Sequence, residues 1–141
     1  MENEDSATAD SVVERELRIA ARPETVYAYL TDPEKVVAWM GKEATFDVRP
    51  GGLFRVNYND EDIVRGAFVE AVPGERLVMT WGWEAEGATT PPGASTVEIT
   101  LTPDGDGTLL RLVHRGLSED EARSHGEGWN VFLPRLADVA A

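Results

Sequence analysis

Between Thr45 and His114 apolar and polar side chains alternate, segment after segment, and a short turn signal closes each one. A period of two puts successive side chains on opposite faces of a strand. Short connections return each strand beside its predecessor, so the pattern predicts an antiparallel meander. Phe46 and Val48 share a face, and so do Phe54, Val56 and Tyr58, across the turn Arg49-Pro50-Gly51-Gly52. Asn59-Asp60-Glu61-Asp62 leads into a strand over 63–72, which carries Phe68, and Pro73-Gly74-Glu75 reverses it. Leu77, Met79, Trp81 and Trp83 share the next face, before a loop from Glu84 to Ala94 containing Pro91-Pro92-Gly93. Val97, Ile99 and Leu101 follow, then a hairpin turn over 103–107, then Leu110, Leu112 and His114 on one face.

One such sheet cannot bury its apolar face alone. The segments that could cover it lie at both ends. Val13, Arg15, Leu17 and Ile19 alternate in a first strand. Pro23 suits the first turn of a short helix bearing Val26, Tyr27 and Leu30. Asp32 is placed to cap a second, which Pro33 opens, Val36, Val37 and Met40 line, and Gly41 ends. After the strands, Ser118 and Glu121 match a capping box, and Trp129, Phe132, Leu133 and Leu136 follow core-facing helical spacing. Gly126 and Gly128 loosen the entry to this helix, and Pro134 removes a backbone donor. The expectation is a kink or break there, with the strongest helix from about 129. The fold class read from this order is α+β, β-α-α-β6-α, with a curved antiparallel sheet around a long C-terminal helix.

Charge excludes some partners. The formal net charge is −13, from 26 acidic and 13 basic residues. Nucleic acid and anionic membranes both call for the opposite sign. The 141 residues fit one domain, expected over 12–141, with 1–11 a disordered acidic tail. No apolar run approaches a membrane span or a secretory signal, so a soluble cytoplasmic protein without membrane insertion is expected. Cysteine is absent. The two histidines lack metal-ligand spacing, and no dinucleotide or phosphate-loop fingerprint occurs, so neither a metal nor a cofactor is expected.

The segments Pro23-x-x-Val26-Tyr27-x-x-Leu30, Pro33, Trp39, Phe46, Gly51-Gly52, Phe54, Gly66, Pro73-x-x-x-Leu77-x-x-x-Trp81, Thr108-x-Leu110 and Gly128-Trp129-x-x-x-Leu133-x-x-Leu136 span 12–139. In this order they resemble the START-like, or SRPBCC, superfamily. Within it they resemble the bacterial family named for homology to the activator of the ninety-kilodalton heat-shock ATPase. The resemblance implies a helix-grip fold whose cavity holds a small apolar molecule: a lipid, a sterol-like compound or a polyketide. Some related families catalyse cyclisation or dehydration, which leaves an enzyme of that type as an alternative. A protein-interaction domain is a third, and a chaperone-accessory partner would need an outer apolar patch from residues such as Leu53, Val64, Val78 and Val113.

Parity and helical facing assign the expected lining. The resemblance implies an entrance at Trp39 and Met40. Phe46, Phe54, Val56, Tyr58 and Phe68 come from the first half of the sheet. Met79, Trp81, Val97, Ile99, Leu110, Leu112 and His114 come from the second half. Trp129, Phe132, Leu133 and Leu136 form the helical floor. His114 is the one catalytic candidate, as a group that orients a ligand carbonyl or donates a proton; the alternative is a strand-end histidine bonded to backbone or water. His125, in a polar glycine-rich stretch, reads as a surface or capping residue, and Trp83 as more exposed than Trp81. Arg15 shares the inner parity of its strand. It either reaches solvent from a frayed end or meets a carboxylate or a ligand anion, because an unpaired buried charge is costly.

Overall fold

The computed structural model describes residues 11–141. The expected acidic tail therefore lies outside the described residues, except Ser11, which is the first residue of a strand. That strand is β1 (Ser11–Ile19), followed by α1 (Pro23–Thr31), α2 (Pro33–Val36), β2 (Glu43–Phe46), β3 (Leu53–Asn57) and β4 (Ile63–Val72). The chain continues through β5 (Arg76–Trp83), β6 (Ser95–Asp104), β7 (Gly107–Leu117) and α3 (Glu119–Ala140). The strands form one antiparallel sheet in the order β1-β7-β6-β5-β4-β3-β2. This is the α+β arrangement the alternation predicts, with the sheet curved about α3.

Register lines up the apolar parities. His114 pairs with Val13 on one side and Val97 on the other, Val97 with Met79, and Met79 with Phe68. Leu112 and Leu110 extend the same face beside Ile99 and Leu101. These residues are buried with Leu133 and Leu136 of α3 in one core.

Both glycines and Pro134 are absorbed into α3, which starts after the expected capping pair and runs for 22 residues without the expected break. Two effects override the weak propensity. The capping box between Ser118 and Glu121 is formed, and three acidic residues occupy the first turn, where the helix dipole favours them. Arg15 also ties β1 to the helix: its Nε donates to Asn130 Oδ1 at 2.8 Å, and its Nη2 approaches the Gly126 carbonyl at 3.4 Å. Arg15 is half-exposed on a strand paired at that position, and its cross-element partners are neutral oxygens on the helix rather than a carboxylate. Pro134 sits on the exposed side of α3, and buried Leu133 and Leu136 hold the helix around it.

The second short helix is shorter than expected, ending at Val36. Asp32 does cap it, its carboxylate accepting from the Glu34 N–H at 2.9 Å. Of the residues expected on an outer patch, Val64, Val78 and Val113 are buried and only Leu53 is exposed. Val64 pairs with Val56 and shares the parity of Phe68, so it belongs to the inner core, whereas Val78 and Val113 are buried outside that cluster. No helix among the described residues is long and apolar enough to cross a membrane.

Candidate functional site

The space expected along the whole gripped helix is mostly filled. Phe46 stacks on Phe54 at 5.1 Å, Phe54 meets Phe68 edge-on at 5.7 Å, and Trp81 bridges Phe54 and Trp129 at 5.5 and 5.1 Å. Only about 20 Å³ remains among Leu30, Trp39, Met40, the Phe46, Phe54, Trp81 and Trp129 rings and the Leu77, Met79, Val97 and Ile99 side chains. Alternation assigns a direction to each side chain but not the volume left between them, and the contacting rings of Phe46, Phe54, Phe68, Trp81 and Trp129 close the middle. Trp39 seals the α1–α2 end, its indole N–H donating to the Tyr29 carbonyl at 2.9 Å.

A pocket of about 310 Å³ lies at the other end, where the first turns of α3 cross the end of β5. Its walls are Tyr58, Trp81, Trp83, Ser124, His125, Gly128, Trp129 and Phe132. Four of these, Tyr58, Trp81, Trp129 and Phe132, are among the residues expected from the sequence. Val56, Phe68, Leu110, Leu112, His114, Leu133 and Leu136 are core residues that border neither space. Sequence reasoning read His125 as a surface or capping residue and left Trp83 out of the lining as more exposed than Trp81; Trp83 is half-buried and Trp81 buried. A usable signal existed for both. His125 precedes Trp129 by four residues on the stripe that continues through Phe132 and Leu136, and Trp83 shares Trp81's parity.

Indole donors organise the polar side of the pocket. An indole N–H can only donate. Trp129 donates to His114 Nδ1 at 3.2 Å, so the neutral His114 ring carries its hydrogen on Nε2. That nitrogen donates to Ser95 Oγ at 2.9 Å, and Ser95 in turn donates to the Trp81 carbonyl at 2.7 Å. Every hydrogen in the chain is placed, and Ser95 is therefore not activated as a nucleophile. Burial first, and the nearby His125 second, push the His114 pKa down to about 3. Trp83 donates to His125 Nε2 at 3.0 Å, and His125 Nδ1 donates to the Glu121 carbonyl at 2.7 Å.

Two atoms of the pocket residues have no partner within the protein: Trp81 Nε1 and the Tyr58 hydroxyl, both buried. Burial first, and the negative charge of Asp62 second, raise the Tyr58 pKa, so the phenol keeps its proton. None of the eight lining residues is Asp, Glu, Lys or Arg. No group of three or more His, Asp or Glu side chains among the described residues could hold a metal ion.

The loop 84–94 is fastened beside the pocket. Trp83 N–H donates to the Thr90 carbonyl at 2.7 Å, and the Thr90 hydroxyl donates to the Glu121 carboxylate. Desolvation alone would raise the Glu121 pKa. Hydrogen bonds from Thr90, the Ser118 backbone, Thr89 and the Ser118 hydroxyl outweigh it and hold the value at about 2.

Comparison with known proteins agrees with this architecture. The family described as Activator of Hsp90 ATPase homolog 1-like protein matches residues 20–141. An AHSA1-like protein from Rhizobium etli, solved by NMR, is 48% identical, with a TM-score of 0.74 over 94% of this chain and 82% of that one. CalU16 from Micromonospora echinospora is 28% identical, with a TM-score of 0.74 over 94% of this chain and 85% of that one. The Homo sapiens protein Activator of 90 kDa heat shock protein ATPase homolog 1 is 29% identical over 111 residues, 78% of this chain and 31% of that protein. The chain spans between about a quarter and a third of the curated relatives it matches.

Proposed function

We propose that this chain, which belongs to the Activator of Hsp90 ATPase homolog 1-like family, is a binding domain for a small, uncharged, largely aromatic molecule that carries a hydrogen-bond acceptor such as a ketone oxygen. The observation that carries the reading is the pair of buried donors without protein partners, Trp81 Nε1–H and Tyr58 O–H, on two residues that line one pocket. Of the four tryptophans, Trp39, Trp83 and Trp129 have their N–H groups bonded inside the protein. A buried polar group left unbonded costs about 1–3 kcal/mol, which an acceptor on a guest would recover. Rings of Trp81, Trp83, Trp129 and Phe132 offer faces and edges to a flat molecule. The volume of about 310 Å³ falls at the lower end of small-molecule pockets, which favours two or three fused rings over a long acyl chain. Absence of a charged wall residue favours a neutral guest, since an ion there would be desolvated without a counter-charge.

Catalysis by His114 as acid or base has less support. Both ring nitrogens are engaged, and a pKa of about 3 leaves no proton to give near neutrality.

Fluorenone and its hydrocarbon analogue fluorene, alike in shape, test the reading. Both are titrated while the four indole N–H resonances are followed by heteronuclear NMR. The ketone is expected to bind at least about tenfold more tightly, and to move the Trp81 resonance downfield. Equal affinities with an unmoved Trp81 signal would remove the acceptor; binding of neither would remove the pocket as a ligand site.

A further inference from the structure

Two glycines in the middle of α3 have different reasons to be there. Glycine within a helix costs about 1 kcal/mol relative to alanine, so each needs one. Gly126 is explained by packing: a Cβ added there would meet the Arg15 guanidinium at 2.8 Å. Gly128 is not. A Cβ added at Gly128 would meet nothing within 4 Å, and its backbone conformation is ordinarily helical. Gly128 lines the pocket, and the position a side chain there would take is open.

The helix contributes two rows to that pocket. His125 and Trp129, four residues apart, form the inner row and bond to the tryptophan and histidine of the sheet. Ser124, Gly128 and Phe132, each four residues from the next, form the outer row. The middle member of that outer row has no side chain, so a trough crosses the helix between the Ser124 hydroxyl and the Phe132 ring.

We infer that Gly128 is the specificity-determining residue of the pocket: the guest lies across α3 directly on its backbone at Gly128, and the missing side chain sets the width of ring system accepted. This rests on the proposed ligand-binding reading and adds the surface against which the guest packs. The helix sacrifices local stability at Gly128 to keep the trough open. Stability and binding should therefore move in opposite directions on substitution, which a purely structural glycine would not produce.

The test measures thermal unfolding and fluorenone affinity for the full chain and for Gly128→Ala, Gly128→Leu and Gly126→Ala. Gly128→Ala should raise the unfolding temperature by a few degrees, and weaken fluorenone binding several-fold. Gly128→Leu should fold and weaken it by at least about tenfold, because the side chain occupies the trough. Gly126→Ala should displace the end of Arg15 and leave affinity unchanged. Folded Gly128 variants that bind fluorenone like the unsubstituted chain would overturn the inference and leave the binding function standing. A lower unfolding temperature for Gly128→Ala would also overturn it, since the glycine would then serve the fold. Absence of fluorenone binding by the unsubstituted chain would overturn the inference and the proposed function together.

Discussion

The ring of His114 lies 5.0 Å from the ring of His125, edge to face, with the first fully buried in the sheet and the second half-exposed at the pocket. Each accepts an N–H from a different tryptophan, so the two imidazoles join the core to the pocket wall through opposite tautomers. Protonating His114 would break the Trp129 bond and place a charge in the core beside His125.

That arrangement sets an acid limit on stability. His114 has its pKa lowered from the usual histidine value of 6.5 to about 3 in the folded chain. Between those two values the unfolded chain binds a proton that the folded chain refuses. Stability is therefore complete above pH 6.5 and declines as pH falls toward 3, at up to about 1.4 kcal/mol per pH unit. Denaturant midpoints at pH 7 and pH 5 should differ accordingly, and His114→Gln, though less stable at pH 7, should flatten the slope. An equal slope in the variant would assign the acid sensitivity elsewhere.

Glu121 supplies a second, lower window and a mechanical tie. Its carboxyl is held at about 2, below the ordinary value of 4.5. Its contribution is thus present above pH 4.5 and fades as pH falls through 2. Glu121→Gln keeps the shape but loses the charge that Thr90 and the Ser118 backbone address. We expect a loss of about 1–2 kcal/mol at pH 7, with faster hydrogen exchange concentrated in the loop 84–94. Uniform exchange across the sheet would show that the tie to Thr90 contributes no local order.

Removing an orphaned hydroxyl should separate stability from binding. Tyr58→Phe deletes a buried O–H that has no protein partner while keeping the ring that meets Trp83 at 5.5 Å and Phe132 at 5.4 Å. Stability should be unchanged or rise by up to about 1 kcal/mol. The preference for fluorenone over fluorene should shrink several-fold. A stability loss above about 1 kcal/mol would mean the hydroxyl bonds within the fold after all.

These residues also mark what the sequence makes legible. The parity of His114 with Leu110 and Leu112, and the capping pair Ser118–Glu121, are local patterns, and both appear in the structure as expected. The tie to α3 at Gly126 was not legible, because Arg15 lies 111 residues away from the carbonyl it approaches. The site divides in the same way. Tyr58, Trp81, Trp129 and Phe132 are found by facing alone. His125 shares the stripe of Trp129, but its bond to Trp83, 42 residues earlier, is not local, and the filling of the middle by Phe46, Phe54, Phe68 and Trp81 depends on ring volumes that alternation does not encode.

The sharpest stability prediction concerns Gly82. Its neighbour in space is the backbone of the loop 84–94 as it returns across β5: an added Cβ would lie 1.9 Å from the Pro91 carbonyl oxygen and 2.4 Å from the Pro92 nitrogen. Backbone cannot rotate aside as a side-chain tip does, and Pro91-Pro92 is a stiff pair with fixed φ. Gly82→Ala must push that segment outward. The Trp83 N–H to Thr90 carbonyl bond then stretches, and the Thr90 tie to Glu121 is pulled with it. We expect a loss of roughly 1–3 kcal/mol, opposite in sign to Gly128→Ala although both replace a glycine with the same residue. The Trp83 amide should lose exchange protection before the β6–β7 ladder does. If Gly82→Ala unfolds at the same denaturant concentration as the unsubstituted chain, the loop yields freely and its bond to the Trp83 backbone contributes nothing to stability.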